Sequence, residues 1–129
     1  MSNIMIGQKG EVSFTVTIEK TAKSFESGGL DVFATPAMIA AMESAACKAL
    51  QLDEGSTSVG TSVNIKHVSA TPVGMKIRAE AEVVAVDGRS VEFIVRAYDE
   101  AGLIGEGTHG RAVVGIERFM QRVEGKSAR

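Results

Sequence analysis

The stretch Ala34 to Leu50 reads ATPAMIAAMESAACKAL, and it is the one long segment whose apolar spacing suits a helix. A helix this apolar must be covered, and the strand patterns that surround it are the cover the sequence provides. With Met38 as zero and about 100° per residue, Met42, Ala45 and Ala49 fall within roughly 40° of it, a core stripe. Ser44 and Lys48 fall near about 240–280°, the wet side. Glu43 lands near about 140°, between Ile39 and Leu50, at a shoulder that a neighbouring element can cover. Thr35 is a plausible N-cap with Pro36 at the first helical position, and Gly55 marks the exit. Cys47, mid-helix among alanines, reads as a small buried hydrophobe rather than a thiol nucleophile.

The rest of the chain alternates with period two. Residues 11–19 place Val12, Phe14, Val16 and Ile18 on one face of a strand. Residues 20–31, with Gly28 and Gly29, read as a loop. After the helix, Val59, Thr61, Val63, Ile65 and His67 share one face of a strand over about residues 57–68. Thr71 to Gly74 is a turn, and Met75, Ile77, Ala79, Ala81 and Val83 line the next strand. Asp87-Gly88 signals a hairpin of the type I′ kind. Val91, Phe93, Val95 and Ala97 follow, then a turn at Glu100 to Gly102 and a return strand over 103–114. The tail from Ile116 is polar and can begin as a helical turn. One strand, one helix and four antiparallel strands give an α+β class, and 129 residues fit a single domain over 1–129.

Bulk properties exclude several classes. The net charge is −2 with no basic stripe, which argues against nucleic acid as a partner. Aromatics make up 5% with no tryptophan, too few for base-stacking platforms. No apolar run is long enough to span a bilayer. A single cysteine suits a reducing compartment, so a cytoplasmic setting is expected.

Few side chains compete for chemistry. Thr35 stands at a helix start, where backbone N–H groups favour a developing oxyanion. Glu43 lies about two turns further along, and His67 shares parity with inward apolar residues. A hydroxyl, a carboxylate and an imidazole at one helix–sheet seam can activate water against an acyl carbon. Each also has a plainer reading: an N-cap, a solvated helix carboxylate, a strand-end histidine. Gly105-Glu106-Gly107 is a fragment of a phosphate-loop pattern without a third glycine or a following helix. No His, Cys, Asp or Glu cluster has metal-ligand spacing.

Taken in order, Val32-Phe33-Ala34-Thr35-Pro36, Met42-Glu43, Gly60-Thr61 with His67, and Ala70 to Met75 resemble the hotdog-fold thioesterases, in the branch of fluoroacetyl-CoA thioesterases. The likeness continues through Val86 to Arg89, Gly107-Thr108-His109 and Arg111 to Val114, covering about residues 10–125. The resemblance implies a hotdog fold, one long helix wrapped by a five-stranded antiparallel sheet, and a homodimer with the acyl-CoA site at its interface. It implies that Thr35, Glu43 and His67 form a catalytic triad and that Gly60 lies near the thioester carbonyl. Arg111 and Phe33 fall to the substrate region. CoA would enter only as part of the substrate, with no separate cofactor and no metal. The loop Phe25-Glu26-Ser27-Gly28-Gly29-Leu30 departs from the branch, having glycines where a lid phenylalanine is expected, so fluoroacetyl specificity is not expected. Two other readings share the scaffold: a non-catalytic acyl-CoA-binding module, and an enoyl-CoA hydratase. The hydratase usually needs an Asp/His pair, and no aspartate lies near His67 in sequence.

Overall fold

A computed structural model describes residues 3–127. The elements are β1 (Lys9–Thr15), a single 3-10 turn at Ile18–Lys20, α1 (Thr35–Ala49), β2 (Ser56–His67), β3 (Lys76–Asp87), β4 (Ser90–Asp99), β5 (Gly102–Gly115) and α2 (Ile116–Gly125). All pairings are antiparallel, in the order β1-β3-β4-β5-β2, so β1 and β2 are the edges. The expected α+β arrangement, one long helix against a five-stranded antiparallel sheet, is the one observed.

α1 packs chiefly on β1 and β3. Met38, Met42, Ala45 and Ala49 are buried, as the helical spacing requires. They meet Ile77, Ala79, Ala81 and Val83 from β3 and Val91, Phe93, Val95 and Ala97 from β4, all buried. Fully burying a Met, Val or Phe side chain contributes about 1.5–3 kcal/mol each. The alanine-rich face lets backbones approach closely. A Cβ on Gly10 of β1 would lie 2.1 Å from the Ala45 carbonyl oxygen.

Several expectations need correction. β1 ends at Thr15, and Ile18 enters the 3-10 turn 58% exposed instead of continuing the stripe. The hairpin loop is Gly88-Arg89, with Asp87 paired to Ser90. Gly88 has φ +60° and Arg89 has no positive φ, which excludes a type I′ turn and fits type II′. Cys47 is exposed; it lies about half a turn round the helix from Met38. The N-cap is Ala34 rather than Thr35, whose hydroxyl makes no cap bond. The tail forms a ten-residue helix, α2, with no buried residue.

The correction that matters most lies in β2. Its register against β5 runs Ser58↔Val113, Gly60↔Arg111, then Ser62↔Gly110 and Val63↔His109, leaving Thr61 as an extra residue. Such a bulge reverses which face alternate residues occupy. The inward face of β2 is therefore Ser58 and Gly60, then Val63, Ile65 and His67. Val59 and Thr61 are on the other face. A strict two-residue period cannot anticipate this.

Candidate active site

Two groups of polar side chains flank α1. The first is at its N-terminus. Thr35 Oγ1 and His67 Nδ1 are 2.7 Å apart, a bond between the first residue of α1 and the last of β2. The Thr35 hydroxyl is free for this because it does not cap its own helix. His67 Nε2 is buried without a hydrogen-bond partner among the described residues. Burial also pushes the His67 pKa below its ordinary value, against a smaller opposite pull from the Ser69 backbone. The pair borders a cleft of about 280 Å³ whose walls include Phe33, Val68 and Ala70. Phe33 is fully buried and meets Phe14 edge-on at 5.8 Å between ring centres, which fixes the floor of the cleft.

The second group surrounds Glu43. Its Oε2 is 3.9 Å from Arg111 Nη1, and its side chain is 42% exposed. Arg111 is buried and heavily tied: Nε donates to Ser58 Oγ at 2.8 Å and Nη2 to the Ser58 carbonyl at 3.0 Å. Its Nη1 is 3.1 Å from His109 Nε2. His109 Nδ1 is in turn 2.8 Å from the Ser62 carbonyl oxygen. A carbonyl only accepts, so Nδ1 carries the proton and Nε2 accepts a hydrogen bond from Arg111 Nη1. The imidazole is thus held in one tautomer, stacked on Phe93 with ring centres 6.0 Å apart. Gly60 completes the group. A Cβ there would sit 2.9 Å from Glu43 Oε2 and 3.6 Å from Arg111 Nη1, so glycine keeps the space before the carboxylate open.

The structure thus joins Thr35 to His67, and Glu43 to Arg111 and Gly60, but it does not join the two groups within one chain. Thr35 and Glu43 are eight residues apart, about 12 Å along the helix. Gly60 and His67 are separated by about 20 Å along β2. Each half is chemically incomplete. The first offers an imidazole base on a hydroxyl at a helix N-terminus. The second offers a carboxylate steadied by a fixed cation.

Ser58 and His109 were not singled out from sequence. The signal for His109 is its spacing of two from Arg111 on β5, which places both on one face; Ser58 reaches that face only because of the bulge. Gly105 and Gly107 serve packing rather than a phosphate loop: a Cβ would meet Met38 Sδ at 2.5 Å in one case and the Asn64 carbonyl at 2.0 Å in the other. Among the described residues, no three His, Cys, Asp or Glu side chains gather where they could hold a metal ion. No helix among them is long and apolar enough to cross a membrane.

Residues 16–117 match the sequence family described as fluoroacetyl-CoA-specific thioesterase. The fluoroacetyl-CoA thioesterase of Streptantibioticus cattleyicolor is 39% identical over 99 residues, covering 75% of this chain and 71% of its own. Among solved structures, a mutant of the fluoroacetyl-CoA-specific thioesterase in complex with fluoroacetate and CoA superposes with a TM-score of 0.84. It is 34% identical, over 90% of this chain and 99% of that one. A hypothetical protein of Thermus thermophilus, a thioesterase superfamily member, reaches a TM-score of 0.87 at 30% identity, over 98% and 97% of the two chains.

Proposed function

The chain belongs to the fluoroacetyl-CoA-specific thioesterase family and is a hotdog-fold thioester hydrolase, and on that premise we propose that it hydrolyses a short or medium acyl-CoA through Thr35, Glu43 and His67. The observation that carries this reading is the 2.7 Å contact of Thr35 Oγ1 with His67 Nδ1. It places a base on a hydroxyl at the positive end of α1, where an oxyanion gains most. Where water or the Thr35 hydroxyl attacks, the base accepts its proton as the thioester carbon becomes tetrahedral. It returns that proton to the departing CoA sulfur. Glu43 either directs water at the carbonyl or attacks as a carboxylate. In the second route CoA departs as a thiolate that takes its proton from solvent, and the base then deprotonates the water that cleaves the acyl-enzyme. Gly60, Arg111 and Phe33 shape the acyl end, and CoA enters as part of the substrate.

A homodimer resolves the separation of the two groups. β2 is an edge strand with one side unpaired, and Val63 at its middle is 48% exposed. Antiparallel pairing of two such edges about a twofold axis near Val63 brings the Gly60 end of one strand to the His67 end of the other. Glu43 would then face the partner subunit's Thr35 and the partner subunit's His67. The lid loop supports a broader acyl range than fluoroacetyl. Phe25 is 46% and Leu30 69% exposed, and a Cβ on Gly29 would meet nothing within 4 Å.

The test is thiol release from a panel of acyl-CoA esters by the wild-type protein, including acetyl- and fluoroacetyl-CoA. We expect turnover of short acyl groups, with kcat/KM for the fluorinated and plain acetyl esters within about tenfold of each other. Silence across the panel would remove the proposal. Mixing Thr35→Ala and Glu43→Ala chains, each inactive alone, should restore part of the activity, since half-sites from different subunits recombine. No recovery after verified subunit exchange would place the site within one chain.

The pH profile follows from His67. Its neutral form is the base, and its pKa lies below the ordinary histidine value. kcat/KM should therefore hold on descending through pH about 6.5 and fall only at lower pH. An acid limb centred above 6.5 would show that another group, or a differently solvated His67, controls the rate.

A further inference from the structure

Beyond the acyl site, β5 leads into a second feature at the same end of the sheet. Two residues past Arg111, the Val113 N–H donates to the Arg89 carbonyl at 2.8 Å. At Gly115 the strand gives way to α2. The hairpin turn, the strand end 112–115 and α2 enclose a groove of about 460 Å³ lined by Arg89, Arg118 and Arg122. All three arginines are exposed. Among the described residues, no carboxylate lines the groove and none of the three forms an ion pair.

The helix itself gives them no counter-charge. Three and four residues from Arg118 stand Val114, Gly115, Gln121 and Arg122; from Arg122, Arg118, Phe119, Gly125 and Lys126. Like charges at that spacing repel on one helix face. Glu117 and Glu124 lie roughly 100–160° away around the helix. In a chain of net charge −2, this is a local concentration of cations and not a bulk excess. Guanidinium forks match phosphate oxygens two at a time.

The strand wall of the groove starts at Ala112, next to Arg111, and reaches α2 about 13 Å, four strand residues, from Arg111. CoA carries its reactive sulfur at one end of a long flexible arm and its phosphates at the other. Resting on the acyl-CoA reading above, we propose that Arg89, Arg118 and Arg122 bind the phosphates of the CoA moiety, which makes the substrate a CoA ester by recognition. A basic amphipathic helix can also lie on an anionic membrane. CoA is favoured here because Arg89 closes the groove from the hairpin side, so the three arginines converge on a concave space instead of lying on one flat helix face.

The experiment compares wild type with the triple variant Arg89→Gln, Arg118→Gln, Arg122→Gln, and with Arg89→Gln alone, which leaves α2 untouched. Two substrates are used: acetyl-CoA and S-acetyl pantetheine, which lacks the nucleotide. The triple variant should raise KM for acetyl-CoA about tenfold or more with kcat unchanged, and leave KM for S-acetyl pantetheine as in wild type. Arg89→Gln should give a smaller rise in the same direction. An unchanged KM for acetyl-CoA, or an equal rise for both substrates, overturns the proposal. If wild type cleaves neither thioester, the acyl-CoA reading fails separately, and calorimetric titration with free CoA then decides the groove. Binding weakened about tenfold in the triple variant sustains it; equal or absent binding overturns it. Sedimentation with phosphatidylserine vesicles that depends on the arginines, with CoA affinity unaltered, would assign them to a membrane surface instead.

Discussion

Replacing Glu43 with glutamine is expected to lower kcat by about 10²–10⁴-fold while leaving the fold intact. The exchange is isosteric and removes only the charge. Whether Glu43 attacks the thioester or directs water, an amide can do neither. The structural cost is small. Glu43 is 42% exposed on its side chain, and its only ion-pair contact among the described residues is at 3.9 Å, so the stability change should stay within about 0.5 kcal/mol. Arg111 keeps its bonds to Ser58 and His109, so the guanidinium does not collapse into the vacated field. The readouts are thiol release and a thermal melt on the same preparation. Loss of turnover at unchanged melting temperature places Glu43 in the reaction. Near-normal kcat would make it a bystander and remove the triad. A burst of thiol release in wild type, one equivalent per site, would further select the acyl-enzyme route over direct water attack.

The second large effect is on stability, at Gly10. A Cβ there would lie 2.1 Å from the Ala45 carbonyl oxygen and 2.4 Å from the Ala49 backbone nitrogen. Both neighbours are helix backbone, which cannot rotate aside as a side chain can. Gly10→Ala must therefore push β1 off α1, at a cost of about 3 kcal/mol or more. For a domain of this size that corresponds to a melting temperature lower by roughly 10 °C. Gly29→Ala is the control, because a Cβ at Gly29 meets nothing within 4 Å and its melt should match wild type. Equal melting of the two variants would mean that β1 and α1 do not make the close approach described above.

The two halves of the site differ in how they could be read in advance. The sequence points to Thr35 and His67 because one opens the helix and the other closes the following strand. Their hydrogen bond is a consequence of those positions. Glu43 was expected to meet a strand-borne histidine. Its close neighbours are Arg111 and Gly60, with His109 behind, while His67 lies at the other end of α1. Only the family resemblance points to Arg111 and Gly60. What brings them to one face is the extra residue Thr61, and a bulge leaves no mark in hydropathy because it changes parity without changing composition.

By itself, then, the sequence determined the elements and the core. The spacing of Met38, Met42, Ala45 and Ala49 can be satisfied only by a helix with one buried stripe, and the alternation through β3 and β4 only by strands presented to it. Those patterns are local and repeat many times, so single deviations do not erase them. The tertiary structure alone decided the register of β2 on β5, the tautomer of His109, the exposure of Cys47 and the gathering of three arginines between the hairpin and α2. Each of these depends on which residues from distant segments stand opposite one another, and periodicity along a single segment carries no information about that.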